Sequence, residues 1–198
     1  LTYYKPITKW NAVVHDRRRV GELAQWAFRY ARSGRPGPVH LDIPLDIMCE
    51  PGPDVDLPAP ASYRAMGRLR GDADAIRQAV DLLEHAERPL LVAGGGVVQA
   101  EAWDEFRALA AALGAPATTT PMGSGCIDPG WDGYFGDSGW LGGNAVITAF
   151  NAADVILAVG CRFSSWLGIG RAPIMSGPPA QKVIHVDIDP TEIGKNVG

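Results

Sequence analysis

Three runs of this chain are apolar at nearly every position: Leu90-Leu91-Val92-Ala93, Val155-Ile156-Leu157-Ala158-Val159 and Val183-Ile184-His185-Val186. A strand with one face in water alternates apolar and polar residues, whereas a strand buried on both faces does not. Between these runs lie segments with helical spacing. Ile76, Ala79, Val80 and Leu83 form one such stripe, and Phe106, Leu109, Ala110 and Leu113 form another, stopped by Gly114. Asp72 or Asp74 can cap the first of these helices. A further helix is predicted over 142–151, a strand over 117–120, and the start of a last helix at Thr191-Glu192. Buried strands alternating with helices predict an α/β fold, a doubly wound parallel sheet of Rossmann-like type over residues 72–198. Residues 121–140 and 160–181 are rich in Gly or Pro and read as long loops.

The first 47 residues have a different rhythm. Residues 5–16 read as an extended lead-in. Val20, Leu23, Ala24, Ala27 and Ala31 predict a helix over 17–33, with Gly34 just past its end. The run Arg17-Arg18-Arg19 reads as a solvated helix start. A strand follows at 39–43, closed by Pro44. One helix and one strand cannot bury their own faces, so residues 1–47 are expected to be the end of another α/β domain. Residues 48–71 hold Pro51, Pro53, Pro58 and Pro60 without periodicity, and read as a semi-rigid connector.

Composition narrows the function classes. Apolar residues make up 46% and charged residues 20% of the 198, with a net charge of -4 and the signs interspersed. Nucleic-acid binding needs a clustered basic surface, so no nucleic-acid partner is expected. No stretch reaches the length of a membrane span, so no membrane partner is expected either. Cys49, Cys126 and Cys161 are far apart and lack zinc spacing, in keeping with free thiols in the cytoplasm.

In a doubly wound sheet, ligands bind beyond the carboxyl ends of the strands. Four segments end predicted strands there with glycine or small polar residues. They are Gly94-Gly95-Gly96, Thr120-Pro121-Met122-Gly123, Gly160-Cys161-Arg162 and Asp187-Ile188-Asp189. Each has two readings. The glycines either make tight turns or admit a pyrophosphate to the backbone. Asp187 and Asp189 either cap local backbone or hold ribose hydroxyls, and Arg162 pairs with a carboxylate or with a phosphate. The strict G-x-G-x-x-G fingerprint of dehydrogenases is absent. His40 and His185 lie inside predicted strands and read as packed residues. Trp140 and Trp166 sit in Gly-rich loops, as packing or as the lining of a ligand groove.

Several stretches, in order, resemble the acetolactate synthase branch of the thiamine-diphosphate-dependent enzymes. Pro6-Ile7-Thr8-Lys9-Trp10 and the span from Gly34-Arg35-Pro36-Gly37-Pro38-Val39 to Asp42-Ile43-Pro44 resemble the end of that family's pyrimidine-binding domain. Glu87-Arg88-Pro89 with Val92-Ala93-Gly94-Gly95-Gly96 resembles the start of its central domain. The segment from Val183 through Asp187-Ile188-Asp189-Pro190 to Asn196 is similar to the close of that domain. The resemblance implies that the intact protein is a lyase or transferase that decarboxylates a 2-oxo acid and joins it to a second carbonyl. It would be a homodimer or homotetramer holding thiamine diphosphate and Mg²⁺ at sites outside this chain. The family's activating glutamate and its Gly-Asp-Gly metal motif are not in these residues, so this chain alone is expected to be inactive and to contribute no catalytic or metal-binding residue.

The resemblance further implies a central-domain ligand, FAD or, in a related branch, ADP; an empty, structural domain is the third alternative. Its positions map onto Arg35, Gly94, Gly95, Gly96, Thr120, Met122, Gly160, Arg162, Asp187 and Asp189. Two segments depart from the synthase pattern. Gly136-Asp137-Ser138-Gly139 stands where Gly-Met-His-Gly is common, and Arg162-Phe163-Ser164-Ser165-Trp166 where Arg-Phe-Asp-Asp-Arg is common. The second resembles oxalyl-CoA decarboxylases. A glyoxylate carboligase-like enzyme and a non-catalytic nucleotide-binding or structural module are the other readings.

Overall fold

A computed structural model describes residues 1–52, 58–63, 69–140, 142–167 and 180–197. The chain forms two compact units, Leu1–Arg70 and Gly71–Gly198.

The first unit is built on a parallel pair, β1 (Trp10–Val13) and β2 (Val39–Asp42), joined through helix α1 (Val20–Arg32). Asp16 opens the connection, accepting the Arg18 amide at 2.9 Å and its guanidinium at 2.7 Å. One 3₁₀ turn, Arg17–Arg19, then leads into α1, where Arg18 and Arg19 lie exposed. Leu23 and Ala27 are buried beneath the helix. Gly34 ends it at φ +56°, and the Lys9 ammonium ties the turn by donating to the Ser33 and Arg35 carbonyls. The expected lead-in thus contains a strand. Trp-Asn-Ala-Val shows no clean alternation, because every residue of β1 is half-buried. A short helix α2 (Leu45–Cys49) starts directly after Pro44 and runs into the first residues of the connector expected from residue 48.

The second unit is a five-stranded, all-parallel sheet in the order β5-β4-β3-β6-β7. Its strands are β3 (Pro89–Ala93), β4 (Ala117–Thr119), β5 (Tyr134–Asp137), β6 (Val155–Val159) and β7 (Lys182–Val186). Helix α3 (Ala73–Glu84) precedes β3; Asp72 caps it, accepting the amides of Asp74 and Ala75 at 3.0 and 2.9 Å. Helices α4 (Gly95–Gln99) and α5 (Trp103–Leu113) lead to β4, and Gly114 stops α5 at φ +58°. Helix α6 (Asn144–Ala152) leads from β5 to β6.

The central strand shows why the apolar runs are continuous. Leu91 and Ala93 join Val97, Phe106 and Ala110 from α4 and α5 in one core. Leu90 and Val92, pointing the other way, join Val146 and Phe150 of α6 in a second core. Successive strand residues point to opposite faces, so a strand covered on both sides must be apolar throughout. The chain winds outward from β3 through β4 to β5. It then returns to lay β6 along the other side of β3, so the topology switches between β3 and β6.

Two sequence expectations need correction here. The loop predicted over 121–140 contains β5. That strand is a short edge with a register irregularity against β4 and Gly136 at φ +98°, features that erase a strand pattern. The helix expected at Thr191 does not form. Residues 191–194 only turn, and Gly194 at φ +70° takes the chain out of helical geometry after that turn. More than half of the loop predicted over 160–181, residues 168–179, lies outside the described residues. In α3 only Leu83 is buried; Ile76 and Val80 of its apolar stripe are exposed.

Asp154 fastens the amino end of β6 to that of β3. Its carboxylate accepts the amides of Glu87 (2.7 Å), Arg88 (3.0 Å) and Val155 (2.8 Å). Desolvation raises its pKa, and the amide donors together lower it further, so Asp154 ionises below the usual carboxylate range. Asp154→Ala is expected to cost about 2 kcal/mol at neutral pH, the scale of hydrogen bonds to a charged acceptor. Because the folded pKa is depressed, this contribution is complete above the unfolded carboxyl pKa and disappears as pH falls through the folded value. Urea unfolding of both forms from pH 7 to pH 2 tests this: the two stabilities should converge only at the acid end.

Candidate functional site

The carboxyl ends of five parallel strands define one edge of the second unit. The segments after β3, β4, β6 and β7, which hold every sequence-predicted site residue except Arg35, meet along it. Arg35 belongs to the first unit, exposed in the turn after α1.

The closest meeting is at the switch point. The Gly94 amide donates to the Val159 carbonyl at 2.8 Å, and the Gly96 amide to the Gly160 carbonyl at 3.0 Å. A Cβ on Gly94 would lie 2.0 Å from the Gly160 carbonyl oxygen, and one on Gly96 2.6 Å from the Gly160 Cα. Gly160 itself sits at φ +59°. The first physical role of these three glycines is therefore to let two strand-end loops touch. Gly95 faces the loop after β4, where its Cβ would stand 3.1 Å from that of Met122. Thr120 is buried and donates its amide to the Ala93 carbonyl at 2.9 Å, while Met122 is 73% exposed over the edge.

Beyond β6 the backbone is held firmly. Phe163, buried at φ +49°, packs edge-on against His185 of β7, with centroids 5.1 Å apart. His185 Nε2 lies 2.7 Å from the Cys161 carbonyl and is assigned as its donor, which fixes the loop between them; its Nδ1 is buried without a hydrogen-bond partner. Arg162, exposed between Cys161 and Phe163, faces away from this packing. Asp187 accepts the Asp189 amide at 2.9 Å. Asp189 accepts the Thr191 amide at 3.0 Å and its hydroxyl at 2.7 Å. Both aspartates thus cap local backbone, the simpler of their two readings.

One cluster was not foreseen as a unit. At the β4–β5 end, the Asp137 carboxylate accepts the hydroxyls of Thr119, Tyr134 (3.3 Å) and Ser124 (3.3 Å), and Thr119 also lies 2.8 Å from the Tyr134 hydroxyl. Burial pushes the Tyr134 phenol up, so it stays protonated as a donor. Ser138 is fully buried, its hydroxyl bound to the Thr119 carbonyl at 2.8 Å. The sequence marked Asp137 as part of a segment that departs from the synthase pattern. Its partners only became visible once β5 was placed beside β4. Among the described residues no group of three or more His, Cys, Asp or Glu side chains could hold a metal ion, and no helix is long and apolar enough to cross a membrane.

A doubly wound parallel sheet with glycines meeting at its topological switch point defines a Rossmann-like α/β domain. Residues 76–198 match the family model of the thiamine pyrophosphate enzyme, central domain. The chain belongs to the thiamine pyrophosphate enzyme family and carries this central domain. It is similar to a protein of Methanococcus aeolicus named as a probable acetolactate synthase large subunit, with 37% identity over all of this chain and 33% of that protein. The acetolactate synthase large subunit of Corynebacterium glutamicum is 36% identical over 96% of this chain and 30% of its own length. Glyoxylate carboligase of Escherichia coli O157:H7 is 34% identical over 96% of this chain and 32% of that protein. The fold superposes on a crystal structure of a candidate thiamin diphosphate-dependent enzyme from Mycobacterium smegmatis. That match has a TM-score of 0.77 and 26% identity, over 99% of this chain and 37% of the other. The chain spans about a third of the length of the curated relatives it matches.

Proposed function

We propose that the intact gene product is a thiamine-diphosphate-dependent enzyme of the acetolactate synthase type. It decarboxylates a 2-oxo acid and joins the two-carbon unit to a second carbonyl compound, and residues 72–198 are its central domain. The observation that carries this reading is the continuous similarity to acetolactate synthase large subunits at 36–39% identity, through both units of the chain. The similarity to glyoxylate carboligase favours a second reading in which the same chemistry uses another oxo acid. The active assembly is a cytoplasmic homodimer or homotetramer.

Thiamine diphosphate, with Mg²⁺, would supply stabilisation of the carbanion, which is chemistry no side chain here offers. On the similarity to acetolactate synthases, those groups would be held by parts of the protein outside this chain. The strand-end edge suits a nucleotide instead, FAD first and ADP second. Exposed Arg162 is an anion partner. Asp187 uses Oδ1 on the Asp189 amide, leaving Oδ2 to accept from a ribose hydroxyl. Gly94, Gly96 and Gly160 keep the loops low enough for a ligand to approach the sheet.

The test is an assay of the intact gene product with pyruvate, thiamine diphosphate and Mg²⁺, reading 2-oxo acid consumption and acetolactate. Activity that vanishes on removing thiamine diphosphate supports the reading. Failure to consume pyruvate or glyoxylate with both cofactors present overturns it. An absorbance scan of the purified protein from 300 to 500 nm reports bound flavin independently.

A further inference from the structure

Two large aromatic side chains stand out of the ligand edge. Trp140 is 65% and Trp166 is 66% exposed. A tryptophan left in water withholds the apolar area that usually drives its burial, so a fixed, exposed pair calls for an explanation. Their backbones are fixed to one another. The Trp140 amide donates to the Trp166 carbonyl at 3.1 Å, clamping the loop after β5 to the loop after β6. Gly139 makes the clamp possible: it sits at φ +94°, and a Cβ there would lie 2.4 Å from the Trp166 carbonyl oxygen. Each loop is anchored beside its indole by a buried neighbour, Ser138 and Leu167.

The chemistry the pair offers is narrow. The Trp140 indole N–H already donates to the Ser165 carbonyl at 3.0 Å, so that ring presents π surface and no free donor. Neither indole stacks on another aromatic ring among the described residues. The same loop that carries Trp166 carries exposed Arg162, whose charge favours an anionic partner. Asp137, the nearest carboxylate in sequence to Trp140, is engaged by three hydroxyls. Two exposed indoles on hydrogen-bonded loops, one of which carries an exposed arginine four residues before Trp166, on the strand-end edge where doubly wound sheets hold ligands, match a flat ring attached to phosphates.

We propose that Trp140 and Trp166 form a stacking platform for the planar heteroaromatic ring of an anionic nucleotide-type ligand, with Arg162 as its phosphate partner. This rests on the reading above that the edge holds a nucleotide, and it assigns the ring to two residues that the similarity to known enzymes did not mark. Flavin and adenine rings share the required chemistry, so FAD and ADP are separate arms of the test.

The experiment uses the intact gene product and its Trp140→Leu, Trp166→Leu, Trp140→Phe and Trp166→Phe variants. Calorimetric titration with FAD, ADP and inorganic pyrophosphate gives affinities, and quenching of indole emission gives a spectroscopic readout. Stacking on an aromatic side chain contributes enough that each leucine variant should bind the ring-bearing ligand on the order of 10-fold more weakly. The phenylalanine variants should lose much less, pyrophosphate affinity should stay unchanged, and quenching should fall with each leucine substitution. The arm that binds, FAD or ADP, names the ring. Equal affinity of wild type and both leucine variants for FAD and ADP overturns the platform while leaving a nucleotide site in place, and would point to a protein surface instead. Parallel loss of pyrophosphate, or equal losses in leucine and phenylalanine variants, marks a structural role and overturns it as well. If the wild-type protein binds pyrophosphate but neither FAD nor ADP more tightly, the ring is not held. If it binds none of the three, the nucleotide reading falls together with the inference.

Discussion

Gly160→Ala is expected to destabilise the second unit by about 2–5 kcal/mol, and to remove the proposed ligand binding at the strand-end edge with it. Two costs add. A non-glycine residue at φ +59° costs about 1–2 kcal/mol. The new Cβ would also stand 2.5 Å from the Gly96 Cα, a backbone contact that no rotamer change relieves. Overpacking of that kind costs about 1–3 kcal/mol. Gly114→Ala is the matched control. Its φ is +58°, nearly the same, but nothing lies within 4 Å of its would-be Cβ, so only the backbone cost of about 1–2 kcal/mol applies. Urea unfolding midpoints of the two variants separate the terms. Should Gly160→Ala cost no more than Gly114→Ala, the close approach of the two loops would not be what glycine is there to permit.

That pair of glycines also shows where the sequence was readable. Gly114 announced itself, because a helical stripe ended one residue before it. The continuous apolar runs at 90–93 and 155–159 gave the doubly wound sheet, since only burial on both faces explains them. The edge elements were harder. β5 is four residues long with a glycine inside it, and β1 is half-buried at every position, so neither carries a period to read. Thr191-Glu192 after Asp189-Pro190 has the look of a helix start. Local capping was legible there, but the one-turn stop at Gly194 was not.

The site was legible as a list of segments and not as a set of contacts. Parallel strands bring their ends together, so Gly94, Thr120, Gly160 and Asp187 could be gathered on one edge from the sequence alone. What the sequence could not say is how each is used. Gly94 and Gly96 turn out to face Gly160, and Asp187 and Asp189 cap their own loop. The Asp137 hydroxyl cluster needs the β4–β5 register, and the Trp140–Trp166 clamp needs two loops 26 residues apart to touch. Phe163 at positive φ has no signal in the sequence at all. Pairwise contacts between loops depend on strand order, and strand order is a property of the whole sheet.

Cys161 gives the second large effect, and it reports on this same edge. Burial pushes its thiol up to about 11, with the Asp187 charge adding to the rise. At pH 7 a thiol with that pKa is thiolate in about one molecule in ten thousand, against a few per cent for an ordinary cysteine. Only the thiolate attacks, so labelling of Cys161 should run at least about 100-fold slower than that of a free thiol, even before its 2% exposure is counted. Cys49, exposed, should label first, with Cys126 and Cys161 both protected. Mass spectrometry of peptides after timed alkylation reads each rate. Because the Cys161 carbonyl is held by His185, opening this loop would expose the buried sulfur beside the already exposed Arg162. His185→Ala should therefore raise the Cys161 rate severalfold without changing that of Cys49. A ligand on Arg162 should lower the Cys161 rate further in the wild-type protein. Fast labelling of native Cys161 would mean that the loop after β6 opens freely, and a firm platform at the switch point would then be untenable.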